Sequence, residues 1–485
     1  MHLGCRLPKV QRTFQVHRTG AAGQLVCLNN RQDRIRNLTT DTPIYQRPIE
    51  LLQQLIRFDT TNPPGDEAAC IGYLNDILTA AGVETTLLAK TPSRPNLTAR
   101  LPGRGIAPGL VLQGHVDVVT TANQAWAHPP FAAELIDNYV WGRGALDMKS
   151  GVTMMVAAFL RAHAEAFQPA GDVILTIMAD EEAGSDYGAR FLVEEHPEHF
   201  SGARYAIGEG GGGSQTILGR RYYPIMVAEK QVCWMRTALH GPGGHGSTPL
   251  RGGAMARLGR LLTALDQKRL PVHILPVMEE MIRSIVATAD APATPLLARL
   301  LDPAQTDAAL DEMANQGIRQ ARMFDALLHN TVNATVVHGG IKTNVIPSRI
   351  DLELDGRLLP GYTPDDMVAE LHQLLGNDLE FEIIRHDPLG GETDMTLYPL
   401  LADLVRQADP EGTPIPTMVG GFTDGRMFAR LGIQNYGFLP LKLPADFNGG
   451  ATVHAADERV PVDAIHFGCE VIYQLLRRYG EESRK

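Results

Sequence analysis

The amino-acid sequence predicts an α/β protein in which a sheet covered by helices is joined to a smaller α+β domain. Strand-like and helix-like segments alternate after Ile44, which is typical of such a sheet. A later region has the order strand, helix, strand, strand, helix, strand, which indicates a ferredoxin-like sandwich. The chain has 485 residues, and domains usually hold ~100 to 200 residues, so two or three structural units are expected.

The composition argues against several classes of protein. With 44% hydrophobic and 20% charged residues, the chain is typical of a globular enzyme. Its apolar runs fall short of the ~20 residues of a membrane span. The net charge of −11 argues against a nucleic-acid partner, which calls for a basic face. The five cysteines are scattered and form no CxxC pair, which favours a reducing compartment, so we expect a cytoplasmic protein.

Residues 1–43 differ from the remainder of the chain. They contain seven Lys or Arg residues against two acidic residues, without clear periodicity and without an apolar signal core. This composition argues against a secretory signal, although a basic, acid-poor segment also fits a transit peptide. We favour a disordered tail or a mis-assigned start for this segment.

From Ile44 the hydrophobic pattern becomes regular. Helical spacing is found in PIELLQQLIRFDT and in AACIGYLNDILTAAG, on either side of the turn TNPPGDE. Short strands are predicted for VETTLLA, NLTARL, GLVLQGHVDVV and GDVILTIMA, and a helix for ALDMKSGVTMMVAAFLRAHAEA. Catalytic groups in sheets of this kind cluster where the strands end.

Histidines and carboxylates follow the predicted strands. In GHVD, His115 and Asp117 are two residues apart, so their side chains can face the same way in an extended segment. Imidazole and carboxylate groups are suitable ligands for a pair of divalent cations. The remaining candidates are Asp147 before the long helix, Glu181 and Glu182 after DVILTIMA, Glu209 after RYAIG, and His454 in ATVHAADERV.

Each candidate also has a structural explanation when it is taken alone. Asp147 would be a helix cap, Glu209 a solvated loop residue and His454 an ordinary hydrogen-bonded histidine. Desolvating so many carboxylates together without cations would be costly, however. The joint pattern therefore favours a metal site.

The sequence resembles a family of metallohydrolases that includes aminoacylase-1, carboxypeptidase G, acetylornithine deacetylase and succinyl-diaminopimelate desuccinylase. The resemblance covers residues from about 48 to about 476, and it implies a zinc-peptidase-like catalytic domain with an inserted lid and dimerisation domain. The motifs that carry it are TTNPPGDE, GHVDVV, WAHPPF, WGRGALDMKSG, ADEEAGSDYGA, GEGGG, HGPGGHGSTP, KTNVIPSRIDLELDGRLLPG, GGFTDGRMF and GGATVHAADERV.

The resemblance implies a set of ligands for two Zn²⁺ ions per subunit. Cobalt or manganese could use the same ligands. One zinc is assigned to His115 and Glu209, the other to Glu182 and His454, and Asp147 bridges both.

Three further residues receive roles from the same resemblance. Asp117 corresponds to the residue that orients His115, a partner that metal-bound imidazoles usually need. Glu181 corresponds to the general base, which takes a proton from the attacking water and passes it to the leaving nitrogen. His245 corresponds to the histidine that stabilises the tetrahedral intermediate, and in dimeric members it comes from the other subunit. A homodimer is therefore expected, although a histidine in such a Gly-rich loop is by itself more often a turn residue.

The resemblance also indicates residues that contact the substrate. Arg357 and Asn344 match family residues near the substrate carboxylate or the oxyanion, and arginine suits two-pronged binding of a carboxylate. A salt bridge within the lid is the alternative for Arg357. Gly420 and Gly421 would let the backbone approach the substrate closely.

The predicted domain boundaries follow the same resemblance. Residues 44–220 and 389–485 are assigned to the catalytic domain, and residues 221–388 to the inserted domain. Within the insert, residues 270–330 form a helical stretch longer than a minimal lid needs. It could shape substrate access or the subunit contact, but we favour additional structural packing.

The sequence as a whole predicts a two-metal hydrolase. Its substrate is expected to be a dipeptide or an N-acyl amino acid, a small molecule with a free carboxylate, and neither a membrane nor a nucleic acid is an expected partner. The alternatives are a specialised deacylase of the acetylornithine or succinyl-diaminopimelate type and a catalytically silent binding or dimerisation module. Loss of Glu181 or of a ligand would favour the silent module, and the sequence retains them all.

Overall fold

A computed structural model describes residues 42–289, 292–388 and 393–480. The predicted N-terminal extension, residues 1–43, lies outside these ranges except for its last two residues. The described helices are α1 Pro48–Ile56, α2 Ala68–Ala80, α3 Lys149–Ala164, α4 Ala189–Glu195, α5 Ala254–Gln267, α6 Pro276–Thr288, α7 Thr294–Ala298, α8 Thr306–Asn315, α9 Ala321–Leu328, α10 Pro364–Leu375, α11 Tyr398–Ala408, α12 Gly425–Ala429 and α13 Val462–Arg478.

The described strands form a large mixed sheet, a four-stranded sheet and two short ribbons. None of the helices in the described ranges is both long and apolar enough to cross a membrane. The strands are β1 Thr85–Ala89, β2 Pro95–Leu101, β3 Gly109–His115, β4 Glu134–Ile136, β5 Tyr139–Trp141, β6 Val173–Met178, β7 Ala203–Gly208, β8 Gln215–Ile217, β9 Arg220–Glu229, β10 Gln231–His240, β11 Gly244–His245, β12 Thr331–Gly339, β13 Val345–Ile346, β14 Arg349–Leu358, β15 Phe381–Asp387, β16 Thr413–Val419, β17 Gln434–Gly437 and β18 Arg459–Pro461.

The large sheet has the order β1-β2-β6-β3-β7-β17-β9-β16, with β8 paired to β9. Its centre is parallel, because β3 pairs in parallel with both β6 and β7. Side chains of a strand alternate between the two faces of a sheet. Accordingly, Leu110 and Leu112 of β3 enter the core under α1–α3 and α13, whereas Val111 enters the core under α4 and α12. Helices thus cover both faces, and the predicted α/β architecture is confirmed.

The smaller sheet is antiparallel and has the order β12-β14-β10-β15. Along the chain its elements follow as β10, α5, β12, β14, α10, β15, which is the predicted ferredoxin-like order. Alternate residues of β14 are buried, and Ile350, Leu352 and Leu354 pack with side chains of α5 and α10. The helices therefore cover one face of this sheet.

The crossing from the large to the small sheet lies at Lys230. Strand β9 pairs with β16 and β17 in the large sheet, whereas β10 begins at Gln231 in the small sheet. The boundary expected at residue 221 falls inside β9, and the segment YYPIMVAEKQVCWMRTALHG carries no Gly or Pro at the crossing. The buried Lys230 ammonium marks it instead, and donates hydrogen bonds to the carbonyls of Ala326 and His329.

The helical stretch expected at residues 270–330 comprises α6 to α9. These helices share an apolar core with Tyr222 of β9 and Ile415 of β16, at the edge of the large sheet. The end of α9 also reaches the loop after β16, where a methyl group added to Gly420 would lie 3.7 Å from the Ala326 Cβ. The stretch therefore extends the core of the large sheet.

Candidate metal centre

Three neighbouring strands of the large sheet deliver candidate ligands at one edge. Because β3, β6 and β7 run in parallel, their carboxyl ends lie side by side. His115 is the last residue of β3, Glu181 and Glu182 follow β6 after a two-residue turn, and Glu209 comes directly after β7. Asp147 lies just before α3 and His454 in the loop before β18.

Six of these side chains form two groups of three. In each group, one ligand atom from every member lies within 4.8 Å of the others. The first group holds His115, Glu181 and Glu209; the second holds Asp147, Glu182 and His454.

Asp147 contacts a histidine of each group with a different oxygen. Its Oδ1 lies 3.3 Å from His115 Nε2, and its Oδ2 lies 3.1 Å from His454 Nε2. The same His454 nitrogen lies 3.2 Å from Glu182 Oε2. The two groups are therefore adjacent, with the Asp147 carboxylate between them.

The adjacent glutamates lie on a single turn of 3₁₀ helix, Glu181–Ala183, which we call the glutamate turn. Such a helix has 3.0 residues per turn, so neighbouring side chains are separated by roughly 120° around its axis. This rotation sends Glu181 into the first group and Glu182 into the second.

Asp117 holds this turn and the first histidine together. Its Oδ1 accepts the backbone N–H of Glu181 and its Oδ2 that of Glu182, each at 3.1 Å. The same Oδ1 lies 3.3 Å from His115 Nδ1. A fully buried carboxylate thus fixes the orientation of one imidazole and the position of both glutamates.

Asn62, Arg94 and Asp180 extend this network but were not singled out from the sequence. The Asn62 side-chain amide donates to Asp117 Oδ2 at 2.9 Å and to Asp180 Oδ1 at 3.0 Å. Arg94 forms a buried ion pair with Asp180, at 2.8 Å. Asn62 lies in TTNPPGDE and Asp180 in ADEEAGSDYGA, two motifs that carry the family resemblance, so those motifs were the available signal.

The GGFTDGRMF motif anchors the other end of the glutamate turn. Ser185 Oγ donates to the buried Asp424 Oδ1 at 2.6 Å, and Arg426 Nη2 donates to the Gly184 carbonyl at 3.2 Å. The sequence drew attention only to the glycines of this motif. The two polar residues were missed because their partners lie about 240 residues away along the chain.

The electrostatics of the first group reflect several negative charges in a confined space. Burial raises the pKa of Glu181 well above its usual value, and the Glu209 carboxylate adds to this effect. Burial also raises the pKa of Glu209, to about 8, with a contribution from Asp147. Burial by itself would lower the pKa of His115, but the carboxylates of Glu209, Asp117 and Asp147 outweigh it and raise that pKa well above the usual value.

In the second group the imidazole also has a raised pKa. Hydrogen bonds to Asp147 and Glu182 raise the pKa of His454 to about 10. Burial raises the pKa of Glu182, whereas for Asp147 the effect of burial is outweighed by hydrogen bonds from His115 and His454, which lower its pKa. Both groups therefore favour additional positive charge.

The residues fit a pair of divalent cations. Glu182 Oε1 is a buried side-chain oxygen without a hydrogen-bond partner, and the buried Asp147 Oδ1 has only the 3.3 Å ion-pair contact to His115 Nε2. Buried polar atoms are rarely left in this way, so each oxygen is available as a ligand. Two imidazoles and several carboxylates are a donor set that suits zinc, cobalt or manganese.

Removal of divalent cations is expected to lower the temperature of thermal unfolding. A cation that binds only the folded chain, at 100 times its Kd, adds about 2.7 kcal/mol to the free energy of unfolding. We expect scanning calorimetry to show a lower midpoint after dialysis against a chelator, and recovery when Zn²⁺ is added back in excess over the chelator. An unchanged midpoint under both conditions would contradict cation binding at this site.

His245 lies apart from the six side chains, in a ribbon of the small-sheet region. It pairs with Val345 in the short ribbon β11–β13, and its side chain is exposed. Its Nδ1 lies 2.7 Å from Ser247 Oγ in the same loop. Asn344 is also exposed, and its carbonyl accepts the Gly246 N–H.

The Arg357 side chain contacts both the small sheet and the GGFTDGRMF loop. It forms a two-pronged ion pair with Asp355, at 2.7 and 3.0 Å, which is the lid salt bridge considered from the sequence. Its guanidinium also lies over the Phe422 ring, 5.0 Å from the centroid. Its Nη1 is buried and has no hydrogen-bond partner. Methyl groups added at Gly420 or Gly421 would meet only ordinary contacts at 3.7 Å or more.

Comparison with known proteins gives consistent matches. The profile of Peptidase family M20/M25/M40 matches residues 111–478. A succinyl-diaminopimelate desuccinylase from Paracoccus denitrificans is 27% identical over 453 residues, covering 90% of this chain and 99% of that protein.

Two solved structures are similar in fold. An M20 family metallo-carboxypeptidase from Sulfolobus solfataricus superposes with a TM-score of 0.64 at 17% identity, covering 91% of this chain and all of the other. A dinuclear metal-binding peptidase of the M20 family from Bacillus subtilis gives a TM-score of 0.57 at 13% identity, covering 90% and 98%.

Proposed function

The chain belongs to peptidase family M20/M25/M40 and is a metal-dependent hydrolase of amide bonds, and on this basis we propose how its residues divide the reaction. The substrate is a small molecule with a free carboxylate, a dipeptide or an N-acyl amino acid. The observation that carries the proposal is the pair of adjacent ligand groups with Asp147 between them.

The proposed ligands hold two Zn²⁺ ions per subunit. His115 and Glu209 bind the first, and Glu182 and His454 bind the second. Asp147 serves both, which is supported by its contacts to a histidine in each group. When bound, the cations supply the Lewis acidity that makes a water nucleophilic at neutral pH and polarises the scissile carbonyl. Asp117 keeps His115 and the glutamate turn in place.

Glu181 is proposed as the general base. Its carboxylate takes the proton of the attacking water and gives it to the nitrogen that leaves. Its position supports this role, because it is buried beside His115 and Glu209 and its backbone is held by Asp117. The adjacent Glu182 faces the other group and acts as a ligand.

His245 is proposed to stabilise the oxyanion from the opposite subunit of a homodimer. Its side chain is exposed and its hydrogen-bond partner Ser247 lies in its own loop, which leaves the imidazole accessible to a second copy. Large apolar side chains near the same ribbon are also exposed, with Ile341 at 99% and Val345 at 45%. Their burial in a dimer would contribute a favourable hydrophobic term.

Arg357 is proposed to bind the substrate carboxylate, together with Asn344. The Nη1 without a partner supports this role. Gly420 and Gly421 have only ordinary contacts around them, so they leave room for substrate beside the backbone.

Replacement of Arg357 by Ala is expected to weaken substrate binding. Hydrogen bonds to a charged group contribute about 1.5 to 3 kcal/mol, so KM should rise roughly 10-fold to 100-fold with a smaller change in kcat. Steady-state kinetics on the preferred substrate measure both constants. Arg349→Ala is a matched control, because Arg349 lies on the same strand, is exposed and pairs with Asp351 two residues away. Unchanged KM in Arg357→Ala would contradict the assignment.

A specialised N-deacylase of the acetylornithine or succinyl-diaminopimelate type is the second candidate function. It is favoured by the similarity to a succinyl-diaminopimelate desuccinylase over nearly the whole length of that protein. Turnover of zinc-loaded protein on dipeptides, N-acetyl amino acids and N-succinyl-diaminopimelate separates the two candidates. Hydrolysis of none of these compounds would favour the silent module. We also propose a cytoplasmic location, which is supported by the free thiols of Cys70, Cys233 and Cys469.

A further inference from the structure

Glu458 is a buried carboxylate that follows the candidate ligand His454 by four residues. Its side chain is 0% exposed and accepts four hydrogen bonds from the loop before α3. Oε1 accepts the backbone N–H groups of Leu146 at 2.7 Å and Asp147 at 3.1 Å. Oε2 accepts the N–H of Gly144 at 3.1 Å and Arg143 Nη1 at 2.6 Å. One carboxylate thus holds the loop that presents Asp147.

Arg143 connects the same carboxylate to the His454 loop. Its guanidinium is 1% exposed, and its Nη2 donates to Gln124 Oε1 at 2.9 Å. Gln124 Nε2 in turn donates to the carbonyl of His454 at 3.0 Å. Two of the three residues in the second group are therefore tied to one buried ion pair.

Such an ion pair is seldom retained for stability alone. Taking both charges out of water is costly, and well-packed apolar side chains of similar size often stabilise a fold equally well. Several of the contacts of this pair reach the backbone at Leu146 and Asp147 and, through Gln124, at His454. The first group, by contrast, is held by Asp117. Asp117 also holds the backbone of Glu182, so within the second group it is Asp147 and His454 that depend on Glu458 and Arg143.

We propose that Glu458, paired with Arg143, is a positioning residue that sets the cation affinity of the second ligand group. It fixes Asp147 through backbone amides and His454 through Gln124, without being a ligand itself. The inference rests on the proposed function only in that two cations bind. Loss of the carboxylate should weaken the cation held by Glu182 and His454 more than the cation held by His115 and Glu209.

Glu458→Gln tests this inference in the full chain. The amide keeps one acceptor oxygen but turns an NH₂ group towards Arg143 or the loop amides. Metal-free protein is titrated with Zn²⁺ by calorimetry in the absence of substrate, and with Co²⁺ by absorption spectroscopy. Partners of this kind typically contribute 10-fold to 100-fold in metal affinity. We expect one of the two binding steps, the one assigned to Glu182 and His454, to lose about 10-fold or more, and the other step to change by less than about 3-fold.

A rescue experiment separates positioning from general destabilisation. For Glu458→Gln, the Zn²⁺ concentration that gives half-maximal activity should rise by the same factor as the dissociation constant of the weakened binding step. The kcat at saturating Zn²⁺ should stay close to that of the unmodified protein. Asp409→Asn is the matched control. Asp409 is a buried carboxylate that belongs to neither ligand group. It accepts a hydrogen bond from the Tyr223 hydroxyl and forms ion pairs with Arg221 and Lys442. Its replacement should leave both affinities unchanged.

Three results would overturn the inference. In the first, both cation affinities are unchanged in Glu458→Gln. In the second, Glu458→Gln weakens both binding steps equally. In the third, Asp409→Asn weakens cation binding as much as Glu458→Gln does. If Glu458→Gln does not fold, Gln124→Leu serves instead, because it removes the bridge between Arg143 and the His454 carbonyl. This variant should still weaken the binding step assigned to Glu182 and His454. No change in that step would overturn the inference. Two bound cations without turnover of any substrate in the panel would overturn the proposed function and leave this inference standing.

Discussion

Glu181→Gln is expected to lose roughly 10²-fold to 10⁴-fold in kcat, the usual contribution of a general base. The amide keeps the size of the side chain but cannot accept the proton of the attacking water. Because the Glu181 backbone N–H is held by Asp117, the variant should keep the glutamate turn in place. The loss should therefore appear in kcat and in kcat/KM together.

Steady-state kinetics at saturating Zn²⁺ measure this loss. Glu194→Gln is a suitable control, because Glu194 lies on the nearby helix α4, is exposed and contacts Arg430 on the surface. The control should keep kcat within about 2-fold of the unmodified protein, as surface changes usually have small effects. Full activity of zinc-loaded Glu181→Gln would exclude this residue as the base.

His245→Ala is expected to lower kcat by roughly 10²-fold to 10³-fold, the usual result of removing one oxyanion donor. KM should change much less, because the donor acts on charge that develops in the transition state. His240→Ala is a control on the preceding strand β10, and it should retain kcat. Equal losses in both variants would indicate a general disturbance of the small sheet.

Mixing the two inactive variants tests whether His245 acts across the dimer. A mixed dimer of His245→Ala and Glu181→Gln contains one site with an intact Glu181 and an intact histidine from the partner. Random exchange makes half of the dimers mixed, so recovery to about a quarter of the unmodified activity is expected. Activity that stays at the level of the separate variants would place His245 in its own subunit's site or outside catalysis.

The parallel core of the fold could be predicted because its signals are local. Each of β3, β6 and β7 is a largely apolar run: His115 ends β3, and glutamates follow β6 and β7. The parallel arrangement brings these ends together. His115, Glu181 and Glu209 therefore could be expected near one another from sequence. The order strand, helix, strand, strand, helix, strand likewise indicated the small sheet, in which alternate residues of β14 are buried.

Other features depend on contacts between distant parts of the chain. Asp147 and His454 lie 307 residues apart, and the tie between their loops passes through Glu458 and Arg143. No local pattern distinguishes Glu458 from a solvated acid in HAADERV. The boundary predicted at residue 221 lies inside β9, and the large sheet passes to the small sheet at Lys230, where the polar residues EKQ interrupt the apolar run.

The geometry alone does not decide which of the two adjacent glutamates is a metal ligand. Glu181 lies within ligand distance of His115 and Glu209, so proximity alone would also allow it to be a ligand of the first cation. Glu182 lies with Asp147 and His454 instead. The proposed mechanism requires that only Glu182 holds a metal.

Counting the cations bound by Glu181→Gln and Glu182→Gln tests this division most directly. Both metal-free variants are titrated with Zn²⁺ by calorimetry, and the bound metal is determined after dialysis. We predict that Glu181→Gln binds two cations with affinities close to those of the unmodified protein, and that Glu182→Gln retains only one of them tightly. Loss of a cation from Glu181→Gln, with two retained by Glu182→Gln, would contradict the proposed mechanism.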